Sequence, residues 1–215
     1  MTPTMVNGTA IPFLGSPNHS SRPEGVRPSL IVLHSTGGSY HGALAWLRDP
    51  TAHVSAHFLI GRDGVTVQLV PLDRAAWHAG RSGWRGQAIN GSVNALSIGI
   101  ELEHFDGKQE WPEAQLQALF ALLKVLCEEF SLRSDAVVGH LDVARPFGRK
   151  VDPVDFPWGR LHVALYTGPT LVIDGERIPA RLIQGVLYAP ARRVVETLGR
   201  QGRWDSRAEE LLVTE

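Results

Sequence analysis

The chain predicts a mixed α/β (α+β) domain built on one mixed sheet, and two observations predict it. Short apolar runs with strand patterning are interspersed with a long segment of helical spacing. A length of 215 residues fits one ordinary domain plus a small appendage, and a hydrophobic content of 43% is enough to bury a real core. A net charge of −1 implies no general attraction to nucleic acid or an anionic membrane, so any basic surface must be local.

Residues 1–28 read as an extended N-terminal segment, rich in Ser, Pro, Asn and Gly from 15 onward. They show neither a charged start followed by a long apolar run nor a small-residue cleavage site, so synthesis in the cytoplasm without a secretory signal is expected. SLIVLH at 29–34 is nearly continuous in apolar residues, which suits a buried central strand that delivers His34 to its end. HVSAHFLI and VTVQLV flank Arg62-Asp63-Gly64, a hairpin signal. In SIGIELE, Ile98, Ile100 and Leu102 alternate with Ser97, Gly99, Glu101 and Glu103, so one face is apolar and the other can line a cleft. From Pro112 to Phe130 the residues Leu116, Leu119, Phe120, Leu123, Leu126, Cys127 and Phe130 recur at helical spacing, with Pro112 placed for the first turn. The single Cys127 excludes an intramolecular disulfide, and its place on the apolar stripe assigns it to the core.

Tyr166-Thr167-Gly168-Pro169 marks a linker. Beyond it, 169–215 reads as a small module: a hairpin around Asp174-Gly175, a strand feeding a helix between Pro190 and Gly199, and a closing turn and strand. About 45 residues make a marginal independent core, which points to docking or dimerisation. Seven arginines from Arg177 to Arg207 are interspersed with apolar residues, so this module is also a candidate for contact with cell wall or envelope lipid.

Chemistry-bearing residues lie far apart in the chain. His34 ends SLIVLHSTGG, His140 stands in VVGH, and Asp152 stands in GRKVDP. Two imidazoles and a carboxylate suit a zinc ion that keeps a fourth position open, but spacing alone does not connect residues so distant. The connection is a resemblance. With SAHFLIGRDG at 55–64, AWHAG at 76–80 and SIGIELE at 97–103, these segments resemble, over roughly residues 14–165, the zinc-dependent N-acetylmuramoyl-L-alanine amidases of the type-2 amidase family. Phage endolysins, bacterial muropeptide-recycling amidases and animal peptidoglycan recognition proteins share that family.

The resemblance implies a central sheet flanked by helices over 29–166 and one zinc per chain held by His34, His140 and Asp152. It implies hydrolysis of the amide between N-acetylmuramic acid and L-alanine, with peptidoglycan or muropeptides as partner. Glu101 is the implied base, although alternation places Glu103 on the same strand face and does not choose between them. Lys150, one of three lysines, falls where the family carries an oxyanion-stabilising cation. Trp77, His78, Ser35 and Thr36 are assigned to the substrate, and His57 to a structural role. Val154 stands where the family often has Gly, which bears on the turn behind the third ligand. A signal-less chain with an added module fits a phage or prophage endolysin acting at the cell wall; a cytoplasmic recycling amidase and a non-catalytic peptidoglycan-binding module are the alternatives.

Overall fold

The computed structural model describes residues 3–165 continuously and, beyond them, residues 170–173, 176–179, 181–183, 186–188, 194, 201–205 and 210–214. The chain forms two compact units, Met1–Leu161 and His162–Glu215. In the first, the N-terminal segment is more structured than its composition predicts. Strands β1 (Met5–Val6) and β2 (Thr9–Ala10) pair around Asn7-Gly8, both at positive φ, and β3 (His19–Ser21) pairs antiparallel with a strand some fifty residues on. Local composition signals turns, whereas these pairings come from the partner.

There follow β4 (Leu30–Ser35), helix α1 (Tyr40–Arg48), β5 (Phe58–Ile60), β6 (Thr66–Gln68), β7 (Arg74–Ala76, the partner of β3) and β8 (Ser97–Leu102). Helix α2 (Glu113–Glu129), β9 (Val137–Gly139), the short helix α3 (His140–Val143) and α4 (Trp158–Ala164) complete the order. The central sheet has the order β6-β5-β8-β4-β9. Only β5 and β6 pair antiparallel, through the Asp63-Gly64 turn with Gly64 at φ 86°; β5-β8, β8-β4 and β4-β9 are parallel. The sheet is mixed and flanked by helices, as the sequence predicts.

Parallel strands covered on both faces need apolar side chains on both, and β4 meets that demand: Leu30, Ile31, Val32 and Leu33 are all buried. Leu30 and Val32 pack with Ala79, Val93, Val138 and Val143, while Ile31 and Leu33 face the other way with the pleat. Helix α1 was not anticipated. It is capped by Ser39, whose hydroxyl accepts from Gly42 N, and its Tyr40, Ala43, Leu44 and Leu47 pack on Ala56, Leu59, Val67 and Leu69. Helix α2 begins one residue after Pro112, which is its N-cap. Its buried face is Gln115, Leu116, Leu119, Leu122, Leu123 and Leu126, rotated from the expected stripe so that Phe120, Cys127 and Phe130 are only half-buried. Gln115 explains the rotation, because its amide donates to the carbonyls of Ile60 (3.0 Å) and Glu103 (3.1 Å), pinning the helix to the ends of β5 and β8. Burial pushes the Cys127 thiol up to about 11.

In the second unit, β10 (Thr170–Ile173) pairs antiparallel with β11 (Glu176–Pro179), β12 (Arg181–Ile183) with β13 (Val186–Tyr188), and β14 (Gln201–Asp205) with β15 (Glu210–Thr214). The first pair flanks the anticipated Asp174-Gly175 turn. That turn and the helix expected between Pro190 and Gly199 lie outside the described residues, Val194 excepted.

Candidate active site

The candidate site forms at the carboxyl ends of the parallel strands, where open α/β sheets place their ligands. His34 is the fifth residue of β4, and the parallel register sets it beside Glu101 on β8, so both side chains leave the same face. On the other side Leu33 pairs with Gly139, and the next residue, His140, opens α3. Asp142 accepts from Gly139 N at 2.8 Å, closing the turn on which His140 leaves the strand. Asp152 comes from the following loop, with its backbone carbonyl accepting from Leu141 N at 3.1 Å.

These elements bring three donor atoms together. His34 Nδ1 lies 3.0 Å from His140 Nδ1 and 3.6 Å from Asp152 Oδ2, and His140 Nδ1 lies 3.1 Å from the same oxygen. Ligands held about 2.0 Å from a tetrahedral zinc stand about 3.3 Å apart, so the triangle has the right size.

The hydrogen bonds behind the triangle decide which nitrogens carry protons. Ser97 Oγ donates to the Val93 carbonyl at 2.7 Å and therefore accepts from His78 Nε2 at 3.0 Å. His78 Nδ1 must then accept from His34 Nε2, also 3.0 Å away, which leaves His34 Nδ1 with a lone pair aimed at the site. His140 Nε2 faces the Ala79 carbonyl at 3.3 Å, so its Nδ1 lone pair points inward too. Two imidazole lone pairs and a carboxylate converging on one point fit a divalent cation, the positive charge that would hold them there.

The electrostatics agree. Burial lowers His34 to about 4, and burial together with the neighbouring histidines drives His78 well below its ordinary value, so both rings are neutral at physiological pH. Burial works against the Asp152 carboxylate; with both facing Nδ1 atoms unprotonated, the neutralising partner for it is the cation the three groups would surround. Glu101 goes the other way: burial, reinforced by Asp152, raises it to about 8, with Lys150 opposing. Its Oε2 is buried without a hydrogen-bond partner.

His34, Ser35, Thr36, Trp77, His78, Glu101, His140, Lys150 and Asp152 all line one groove of about 500 Å³. Glu103 has a different duty: its two oxygens accept from Tyr40 N (2.9 Å) and Arg62 N (3.0 Å), tying the start of α1 to the β5–β6 hairpin. His57 is fully buried; its Nδ1 accepts from Gly99 N at 3.0 Å and its Nε2 donates to the Arg74 carbonyl at 3.0 Å, fastening β5 to β8 and β7. Burial first, and then the Arg22 guanidinium, lower it to about 3. His78 sits behind His34, while the hydroxyls of Ser35 and Thr36 bond within the protein, to Asp106 and to the Gly38 carbonyl. Asp106 and Trp46 were missed by sequence reasoning, and Ser97, placed by alternation on the cleft-facing side of its strand, was not linked to His78. Asp106 and Trp46 line the groove, and Trp46 is 58% exposed on α1. No motif spacing flags Asp106 or Trp46.

Residues 24–155 match the Amidase_2 family, described as N-acetylmuramoyl-L-alanine amidase. The chain is 39% identical over 171 residues to the 1,6-anhydro-N-acetylmuramyl-L-alanine amidase AmpD of Enterobacter cloacae, covering 71% of this chain and 88% of that one. The crystal structure of an AmpD selenomethionine derivative superposes with a TM-score of 0.62 at 34% identity, covering 73% of this chain and 94% of the other. The Escherichia coli amidase AmiD, solved with anhydro-N-acetylmuramic acid-L-Ala-D-γ-Glu-L-Lys, superposes at 0.57 with 33% identity, over 66% of this chain and 60% of that one. An endolysin amidase from Clostridium intestinale is similar at 20% identity, a likeness of fold alone. A family match across more than half of the chain, joined to this level of identity with AmpD, means that the chain belongs to the Amidase_2 family of N-acetylmuramoyl-L-alanine amidases.

Proposed function

We propose that this chain hydrolyses the amide between the lactyl group of N-acetylmuramic acid and L-alanine in soluble anhydro-muropeptides, using one zinc held by His34, His140 and Asp152. The observation that carries the reading is the convergence of two imidazole lone pairs and a carboxylate within 3.6 Å, with Glu101 in register beside His34. When bound, zinc supplies Lewis acidity to an amide carbonyl and lowers the pKa of a water toward neutrality.

The chain's own residues do the rest. Glu101 accepts the proton of the attacking water and returns it to the leaving amine, a contribution typically worth about 10²–10⁴-fold. Its buried, unpartnered oxygen suits a group whose proton must move. Lys150, at the groove rim, faces the negative charge that develops on the carbonyl oxygen. Trp77 and Trp46 supply apolar walls. His78 and Ser97 hold His34 in one tautomer.

The role in muropeptide recycling replaces the endolysin reading as the favoured one. Relatives at 34–39% identity carry the anhydro-muramyl amide in their names, and an anhydro-muropeptide is the ligand of the AmiD complex. A recycling role carries with it action in the cytoplasm. The test is parallel digestion of soluble anhydro-muropeptides and intact sacculi by the zinc-loaded protein, with product masses and zinc content measured. One zinc per chain and preferential release of anhydro-N-acetylmuramic acid from the soluble substrate are expected, and His34→Ala or His140→Ala reduces turnover to background. Faster attack on sacculi restores the endolysin reading, and full activity without zinc overturns the mechanism.

A further inference from the structure

The groove contains one carboxylate that neither the ligand set nor the proposed chemistry uses. Asp106 lies in the loop after β8, and both of its oxygens are engaged. Oδ2 accepts from the Ser35 hydroxyl, and Oδ1 accepts from Val154 N at 3.2 Å. Ser35 is the residue after His34, and Val154 is two residues after Asp152. A single side chain therefore bridges the two ligand-bearing segments that are most distant in sequence.

Apart from the approach of Asp152 to His34 itself, the other fastenings of the Asp152 loop do not reach β4. Leu141 N donates to the Asp152 carbonyl at 3.1 Å, and Trp111 Nε1 donates to the Val154 carbonyl at 3.1 Å. Trp111 is itself braced by stacking on His104, with ring centroids 3.7 Å apart and planes 8° apart. These contacts fix the loop against α3 and against the segment after β8, whereas Asp106 sets its distance from the strand that carries His34. A carboxylate with both oxygens occupied by a hydroxyl and a backbone amide is poorly placed to exchange protons with substrate, and Asp106 also raises Glu101 by its charge.

We propose that Asp106 is a positioning residue: by joining Ser35 to Val154 it sets the separation of His34 and Asp152 and thereby tunes the affinity of the site for its metal. The inference rests on the zinc reading above. What Val154 supplies to the clamp is its backbone N–H, which any residue but proline provides.

The test measures metal binding by the full-length protein directly. Zinc affinity is determined by competition with a chromophoric chelator, the cobalt-substituted protein is compared by its visible absorption spectrum, and the melting temperature is taken with and without metal. Asp106→Ala is expected to weaken zinc about 10–100-fold, the range seen when groups that orient ligands are removed, and to alter the cobalt spectrum while the metal-free melting temperature stays within a few degrees. Asp106→Asn, which keeps an acceptor for Val154 N and an amide for the Ser35 hydroxyl, is expected to restore most of the affinity. Ser35→Ala added to Asp106→Ala should cost little more, because the two act as one unit. Unchanged zinc affinity and cobalt spectrum in Asp106→Ala overturn the proposal, as does a loss of affinity that merely follows unfolding of the metal-free protein. Unchanged zinc binding in His34→Ala and Asp152→Ala refutes the ligand assignment itself and is a separate outcome.

Discussion

Glu101 and Glu103 are two residues apart on what alternation makes one face, yet they live in different electrostatic worlds. Glu103 leaves the strand end and spends both oxygens on backbone amides. Glu101 stays on β8, half-buried beside His34, with one buried oxygen unpartnered and its pKa raised to about 8. Glu101→Gln should retain zinc and fold while lowering turnover by about 10²-fold or more. Glu103→Gln should instead cost stability, about 1–3 kcal/mol for hydrogen bonds to a charged group, with turnover changed far less; steady-state kinetics beside chemical denaturation separates the two. The raised value also has a thermodynamic sign. Between the unfolded value near 4.5 and the folded value near 8, the metal-free native state holds a proton that the unfolded chain has lost, so stability falls as pH rises through that window. Denaturation of chelator-treated protein at pH 5 and pH 8 should show this loss in the parent and a smaller one in Glu101→Gln; equal losses would assign the proton to another group.

At the scale of elements, the sheet register does the assembling. Pairing of Leu33 with Gly139 and of His34 with Glu101 puts both histidines and the proposed base at the ends of three adjacent strands. The support comes from the β7–β8 connection. His78 reaches under His34 only because Gly99 has no side chain: a Cβ there would stand 2.4 Å from the His78 ring. Strand alternation alone did not say why a glycine sits at that position, since the reason lies on a neighbouring segment. The Ser97–His78 relay predicts that Ser97→Ala will weaken zinc about 10–100-fold without removing a ligand, measurable by chelator competition. Affinity equal to that of the parent protein would show that packing alone holds the His34 tautomer.

At the scale of the whole molecule, the matched family region and the site both lie before residue 156, within the first compact unit. Among its described residues the second unit carries three antiparallel strand pairs, and it contains none of the residues proposed for the chemistry. A chain ending at Gly168 should therefore hydrolyse soluble anhydro-muropeptides at a rate close to that of the full chain. If the module serves the wall or envelope, binding to intact envelopes falls in the shortened protein while soluble turnover persists. Equal loss of both, with a lowered melting temperature, would give it a stabilising role instead.

By itself the sequence determined the strands whose apolar runs are continuous, the Asp63-Gly64 turn, the existence of the long helix and, through resemblance, the family and its reaction. Those are local signals, or signals carried by several motifs in fixed order, and they survive without coordinates. The tertiary structure decided what depends on partners distant in the chain: the pairing of β3 with β7, the face that α2 buries, the retirement of Glu103 to a structural duty, the placement of His78 behind His34, and the Asp106 bridge. Each of these is set by which backbone donor or acceptor stands opposite a side chain, and no periodicity along the chain encodes that.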